Sequence, residues 1–557
     1  MKNFKYILIL LITMFLLSCQ DDFLDREPSA AVPTTAFFTQ EKDLEFALNA
    51  AYDLLGSNSD GTNYGSGTDM LRLGIMTDDA FDSHSWDLGF ALGQGTADAN
   101  DGYSNWRWKS RYQAIQRVNR IIEGADGIEK IDAGYKNQLV SEAKVIRAYC
   151  YLDLVYLFGD VPFLTSSITP EELEPSINED GGLTPAAGAV RTDKTVILDA
   201  LVSELSEITQ YLPSPANTDK GRITRGAALF IKAKILLMQE KWTESAKASD
   251  DLMKLGDYML YPSYKELFTY QGIGNSEVIL DIQVIEGIGE GEYFAQNFGS
   301  KSAGGWSVAT PLQSLIDTYE MTDGMTIEDS PLFDPESPYE NRDPRLSYSI
   351  LYPGAEWQGG IYNTIPGATY SGGTIVPGDD LTDGTGGTWN KTFSGYNFRK
   401  YITTEDIDNS TWAGSSMHFI LMRYAEVLLM YAEAKIEAGS IDQSVLNAIN
   451  EVRQRPDVMM PAVTTTSQSE LRTIVRRERR VELVFEANRL FDIRRWGIAK
   501  DVMPGPIDIL YYKDSNGNSV PIQTGLGERT FEAGKHELWP IPQIEINVSG
   551  MEQNPGW

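Results

Sequence analysis

Residues 227–255 read AALFIKAKILLMQEKWTESAKASDDLMKL, with the small residues Ala228, Ala233 and Ala246 set among the large Phe230, Leu237 and Trp242. Apolar positions recur at helical spacing on both sides of residues 239–241, so the stretch predicts one helix over 225–239 and a second over 242–255. Small side chains let two backbones approach closely, and the tryptophan opening the second helix fills the space beside them. The unit is a helical hairpin.

Working outward, the same periodicity predicts helices over 41–55, 105–124, 137–158, 193–211, 419–438, 441–454 and 468–489, several joined by short Gly- or Asp-containing turns. In 420–438 the stripe is Ile420, Tyr424, Val427, Leu428 and Tyr431. Together with the small-and-large pattern of 227–255, these hairpins look like tetratricopeptide units. From 270 to 415 the texture changes to Gly, Thr, Ser and Pro, with Tyr293, Phe294, Trp306, Trp357, Tyr362, Tyr370, Trp389, Tyr396 and Trp412 at no fixed period. Long loops carrying large aromatics on a rigid scaffold are often binding surfaces. The expected fold class is therefore mainly α, a tetratricopeptide-like helical-repeat scaffold with one loop-rich, irregular ligand-binding face.

The N-terminus has Lys2 and Lys5, an apolar run over 6–17 broken only by Thr13, then Leu16, Leu17, Ser18 and Cys19. That run is too short to span a bilayer as a helix and has the pattern of a signal peptide. It resembles a lipobox, which predicts removal of residues 1–18 and lipidation of Cys19. Residues 19–39, with Pro28 and Pro33, form a lipid-anchored spacer, and 40–557 a single domain. Within it the helical scaffold occupies about 40–260 and 419–500, the loop-rich insert 261–418 and a C-terminal segment 501–557. Cys19 and Cys150 are the two cysteines, so a lipidated Cys19 leaves no disulfide within the chain. The net charge of −32 repels phosphate backbones and argues against nucleic acid as a partner.

Signatures of chemistry are sparse. His84, His418 and His536 lack metal-site spacing, no Gly-x-Ser-x-Gly elbow occurs, and Gly287, Gly289 and Gly291 are followed by Glu292 where a dinucleotide fingerprint needs glycine, so that stretch reads as a flexible turn. No metal site and no cofactor are expected, although Ca2+ is conceivable at the acidic loop of Asp379, Asp380 and Asp383. A glycoside hydrolase needs only two carboxylates at a suitable separation, and the adjacent Asp78 and Asp79 are the pair to suspect. Ile474, Glu478, Val481 and Phe485 share one helical stripe, so Glu478 is expected in the core beside a buried arginine.

Several segments resemble the SusD/RagB family of outer-membrane nutrient-binding lipoproteins. The most specific is the C-terminus, Trp539-Pro540-Ile541-Pro542 with Glu545 and Asn547, then Gln553-Asn554-Pro555-Gly556-Trp557. Others follow in order: Phe23-Leu24-Asp25, Glu142-Ala143 through Phe158-Gly159-Asp160-Val161-Pro162, Asp323-Gly324, Arg342-Asp343-Pro344-Arg345-Leu346, Arg423-Tyr424-Ala425-Glu426 and Glu478-Arg479-Arg480. Ala487 departs from the glycine common in the family after a glutamate. The resemblance implies a non-enzymatic, cell-surface glycan-binding lipoprotein, held on the extracellular face of the outer membrane through Cys19. It would deliver oligo- or polysaccharide to a SusC-like TonB-dependent transporter and act as its lid. Peptide capture for the same kind of transporter, a purely structural repeat protein and a glycoside hydrolase are the alternatives. Sugar C–H faces stack on aromatic rings and their hydroxyls suit bidentate polar groups. By position, Trp86, Tyr293 and Trp306 are the expected platforms, with Trp357 a second choice and Arg72, Asp78 and Asn105 as polar partners.

Overall fold

The structure is a computed structural model that describes residues 37–56, 72–82, 84, 89–173, 175–177, 183–284, 294–370, 374–375, 390–403, 405–406 and 415–557. Its long helices are α1 (Glu41–Gly56), α2 (Gly102–Asp126), α3 (Ala133–Phe158), α4 (Lys194–Ile208), α5 (Arg225–Met238), α6 (Trp242–Met253), α7 (Tyr424–Glu437), α8 (Gln443–Arg453), α9 (Gln468–Glu482), α10 (Asn488–Arg495) and α11 (Gln543–Ser549). Side chains supply the missing first-turn acceptors: Asp101 caps α2 through Ser104 N, Asp132 caps α3 through Tyr135 N, Asp442 caps α8 through Ser444 N and Ser467 caps α9 through Glu470 N. Among the described residues no helix is long and apolar enough to cross a membrane.

The helices pack as successive neighbours, α1 and α3 on α2, α4 and α6 on α5, α7 on α6, then α8 and α9 on α7. The α5–α6 hairpin shows why the small residues matter. Ala228 and Ala233 are wholly buried, and Ser245 Oγ donates to Ala233 O at 2.9 Å across the pair. One continuous apolar core runs from Leu44 to Met551. Cys150 lies inside it, where burial pushes its thiol up to about 11 and leaves it protonated and inert.

Two sequence expectations differ from the structure. The helix predicted over 419–438 begins only at Tyr424. Phe419–Arg423 is a strand, paired antiparallel with Val278–Ile282, the register running from Phe419↔Ile282 to Arg423↔Val278. Ile420 fits a helical stripe, but the run of Phe419, Ile420, Leu421 and Met422 suits a strand as well, and the waiting partner decides. The helix predicted over 468–489 stops at Glu482, and α10 begins a new direction at Asn488. Between them Phe485 and Ala487 adopt left-handed backbone, with φ of 62° and 63°. Arg423 Nη2 donates to Glu482 O at 2.7 Å and Lys400 Nζ to Val484 O at 2.9 Å. Buried cations thus take the carbonyls that a continuing helix would have used. The departure at Ala487 falls on this turn, where a glycine would carry no Cβ penalty.

The loop-rich region is bolted to the scaffold by buried ion pairs. Arg345 meets Asp343 at 2.7 Å, Glu478 at 2.5 Å and Glu482 at 2.9 Å. Arg423 meets Glu277 at 2.8 Å, Glu482 at 2.7 Å and Glu486 at 2.6 Å, and Arg455 bridges Glu277 and Glu482. Glu478 also receives Arg453 at 2.9 Å, so the buried arginine partner expected for it is present twice over. Burial alone would raise the Glu482 carboxyl; Arg455, Arg423 and Arg345 outweigh it and hold the group well below the usual range.

Candidate ligand-binding rim

The short strand Ala80–Asp82 pairs antiparallel with Ala309–Pro311, in the register Ala80↔Pro311, Phe81↔Thr310, Asp82↔Ala309. Residues more than two hundred positions apart therefore meet at one edge. Just past the first strand, His84 N donates to Asp82 Oδ1 at 2.7 Å, and His84 Nδ1 lies 3.2 Å from Val308 O. The imidazole also stands edge-on to Phe393, ring centres 5.7 Å apart.

On the other side, the helical turn Phe294–Phe298 leads into a tight glycine loop that returns to the strand. Gly299 N donates to Ala295 O, Trp306 N to Gln296 O at 2.6 Å and Val308 N to Asn297 O at 2.8 Å. A Cβ on Gly305 would stand 2.2 Å from Gly299 O, so only glycine allows this crossing. Ser300 caps the intervening turn through Ala303 N, and Ser307 holds φ at 47°. This geometry sets the half-buried Trp306 two residues before the backbone that contacts His84.

The seven expected ligand residues fare differently. Trp86 and Tyr293 lie outside the described residues, as does Cys19; their described neighbours His84 and Phe294 flank the strand pair. Arg72 is 2% exposed at the start of a helical turn. Asn105 sits half-buried in the first turn of α2, its Oδ1 enclosed without a hydrogen-bond partner.

Asp78, expected as a polar partner, and Trp357, the second-choice platform, are interior groups. Arg489 grips both Asp78 oxygens, at 2.8 and 2.7 Å, and Arg480 adds a contact at 3.0 Å. Burial would raise the Asp78 carboxyl, but Arg480 and Arg489 hold it down at about 2. Its neighbour Asp79 is clamped by Arg480 Nε at 2.7 Å. The acidic pair suspected of hydrolysis is thus spent in tying the 76–79 turn to α9 and α10. Trp357 is 4% exposed, covered by its own hairpin, Glu356–Trp357 against Gly360–Ile361, with Arg399 over the ring at 5.8 Å. Phe294, Tyr362 and Tyr396 are wholly buried as well.

The sequence points to His84 only as a histidine without metal-site spacing that stands two residues before Trp86, and nothing in it signals Phe393. The acidic loop of Asp379, Asp380 and Asp383 lies outside the described residues, and among those described no cluster of His, Cys, Asp or Glu could hold a metal ion. A separate groove of about 560 Å³ runs between α2 and α11. Trp108 in its wall is 3% exposed and so offers no ring face to a sugar, while the half-buried Tyr112 packs against it with ring centres 4.9 Å apart and donates its OH to Pro162 O.

Comparison with known proteins gives a consistent family. Residues 276–557 match the SusD family, and residues 22–237 match a family described as "Starch-binding associating with outer membrane". SusD-like protein P25 of Formosa agariphila is 26% identical over 557 residues, covering 96% of this chain and 94% of that protein. A crystal structure of a SusD-like carbohydrate-binding protein from Bacteroides fragilis is 30% identical, covers 92% of this chain and 99% of its own, and superposes with a TM-score of 0.78. A laminarin-binding SusD-like protein shares the fold at 22% identity, with 93% of this chain and all of its own covered and a TM-score of 0.66. With a family match across half of its length and a relative of known structure across nearly all of it, this chain belongs to the SusD family.

Proposed function

We propose that this protein captures glycan at the cell surface and hands it to a partner TonB-dependent transporter of the SusC kind, acting as its lid and leaving the glycan chemically unchanged. The observation that carries the reading is the Ala80–Asp82 and Ala309–Pro311 pairing, which brings the flank of Trp86 and the loop of Trp306 to one edge. The 30% identical relative is described as a carbohydrate-binding protein, and the matched N-terminal family as starch-binding and associated with the outer membrane. Aromatic side chains at such an edge stack on sugar C–H faces without enclosing the chain, so affinity per site is modest and repeats along a polymer supply avidity. Trp86, Tyr293 and Trp306 are the platforms, and Asn105, half-buried in the first turn of α2, is a polar partner. Capture without reaction fits the arginine clamps that occupy Asp78 and Asp79. Lipid on Cys19 holds the protein to the extracellular face of the outer membrane.

The test is calorimetric titration of the chain begun after Cys19 with a panel of oligosaccharides and peptides, with chromatography of the ligand afterwards. Saturable binding of a glycan, recovered intact and weakened by Trp306→Ala, agrees with the proposal. Binding of peptides alone turns it to the alternative ligand class, and shortened sugars in the recovered ligand refute capture without catalysis.

A further inference from the structure

Arg495 and Arg494 are neighbours on α10 with opposite fates. Arg495 is matched by Glu433 at 2.6 Å and Asp492 at 2.9 Å. Arg494 has no carboxylate within ion-pair distance among the described residues. Its guanidinium reaches only two backbone carbonyls, Tyr156 O at 3.5 Å and His536 O at 3.4 Å, both long for hydrogen bonds. Glu537, the carboxylate that acts on it from farther off, accepts from Gly534 N at 2.7 Å. Burial pushes Arg494 down to about 10, as expected of a cation enclosed with little counter-charge.

Arg494 lines a small cavity of about 30 Å³ whose wall also includes His536, Phe531, Leu490, Trp539 and the C-terminal Trp557. The imidazole's tautomer follows from its neighbours. Glu532 N donates to His536 Nδ1 at 2.9 Å, so Nδ1 is the acceptor and Nε2 carries the proton in the neutral ring. That Nε2 is closed off from solvent and has no hydrogen-bond partner. Two undersatisfied donors, one of them cationic, therefore belong to residues that line the same chamber. Leu490, Phe531 and Trp539 supply apolar wall, and Trp557, its ring centre 5.4 Å from that of His536 and its Nε1 tied to Leu538 O at 3.1 Å, packs beside the imidazole.

From this juxtaposition we infer that the cavity is a binding site for a single monatomic anion of the chloride class, held between Arg494 and His536 Nε2–H. A water molecule needs only about 10–15 Å³ of such space, so a single small ion has room. Water alone would accept from Nε2 but leave the half-buried guanidinium without the counter-charge that an anion supplies. The ion joins α10 to the segment of the C-terminal motif, from Trp539 to Trp557, and so fixes that segment in place.

The test uses the full soluble chain begun after Cys19, with bromide as the probe. Crystals grown in bromide should show an anomalous peak within hydrogen-bond distance of both Arg494 and His536 Nε2. In solution, the melting temperature should rise by about 1–3 °C from sodium gluconate to sodium bromide at equal ionic strength, saturably. Arg494→Gln and His536→Phe should lose that rise. A site holding ordinary water density with no anomalous signal, or a melting temperature indifferent to the halide, overturns the inference whether or not either variant folds.

Discussion

The helical scaffold and the loop-rich region solve the same problem, excluding water from a backbone, by different means. In the α5–α6 hairpin, alanine and serine bring two helices together, the backbone is paired within each helix, and the apolar stripe does the rest. In residues 261–418 regular pairing is short, and the loops are held by buried charge: Arg345, Lys400, Arg423 and Arg455 against Glu277, Glu478, Glu482 and Glu486. A core of apolar contacts tolerates change at a single site better than a charge cluster does, because removing one partner leaves another charge buried and unpaired. The two regions should therefore fail differently.

The largest effect follows from that contrast. Arg345→Met leaves Asp343 without its ion partner and takes one of several from Glu478 and Glu482, and should lower stability by about 3–5 kcal/mol, whereas Leu446→Ala in the apolar core at α8 should cost about 2 kcal/mol. Urea unfolding of the two variants measures the difference, and equal losses would erase the distinction. Next in size is Trp306→Ala, expected to weaken glycan binding by about 1–3 kcal/mol, a factor of roughly 5 to 150, with little change in melting temperature. Titration beside thermal unfolding separates a ligand platform from a packing residue.

The charge cluster also fixes the acid response. Glu482, Glu478 and Glu277 are held below their ordinary range, burial being outweighed by their arginines, and Asp78 and Asp492 are held at about 2. Groups depressed on folding give stability that is fully present above the unfolded value near 4, and it is lost as the folded carboxylates take up protons. Melting temperature should thus hold between about pH 5 and 7 and fall steeply from about pH 4.5 towards 2. Glu482→Gln should flatten that slope. The smallest effect expected is at the turn between α9 and α10, where Ala487→Gly relieves left-handed backbone and should stabilise the protein by about 0.5–1 kcal/mol.

The same contrast explains what the sequence could convey. The scaffold was legible because helix packing writes a period into the chain, and eight of the nine predicted helices start within a few residues of their expected places. Phe419–Arg423 was misread because a five-residue apolar run carries no period of its own and takes its form from Val278–Ile282. The break at Phe485–Ala487 was invisible because its cause, Lys400 and Arg423, arrives from distant segments. In the loops an aromatic looks the same whether it faces solvent or the interior. Trp306 is half-buried and Trp357 is covered, and nothing in their flanking residues separates them. Glu478 was readable because its neighbours at helical spacing are apolar, and a carboxylate among them needs a cation.

The most direct test of a glycan rim built by the strand pair is hydrogen exchange of the soluble chain with and without saturating oligosaccharide. The account predicts slowed exchange confined to the segments around 80–90 and 290–310, with the α7–α9 scaffold unchanged. Protection that falls instead along the groove between α2 and α11, with the strand pair unaffected, would contradict it.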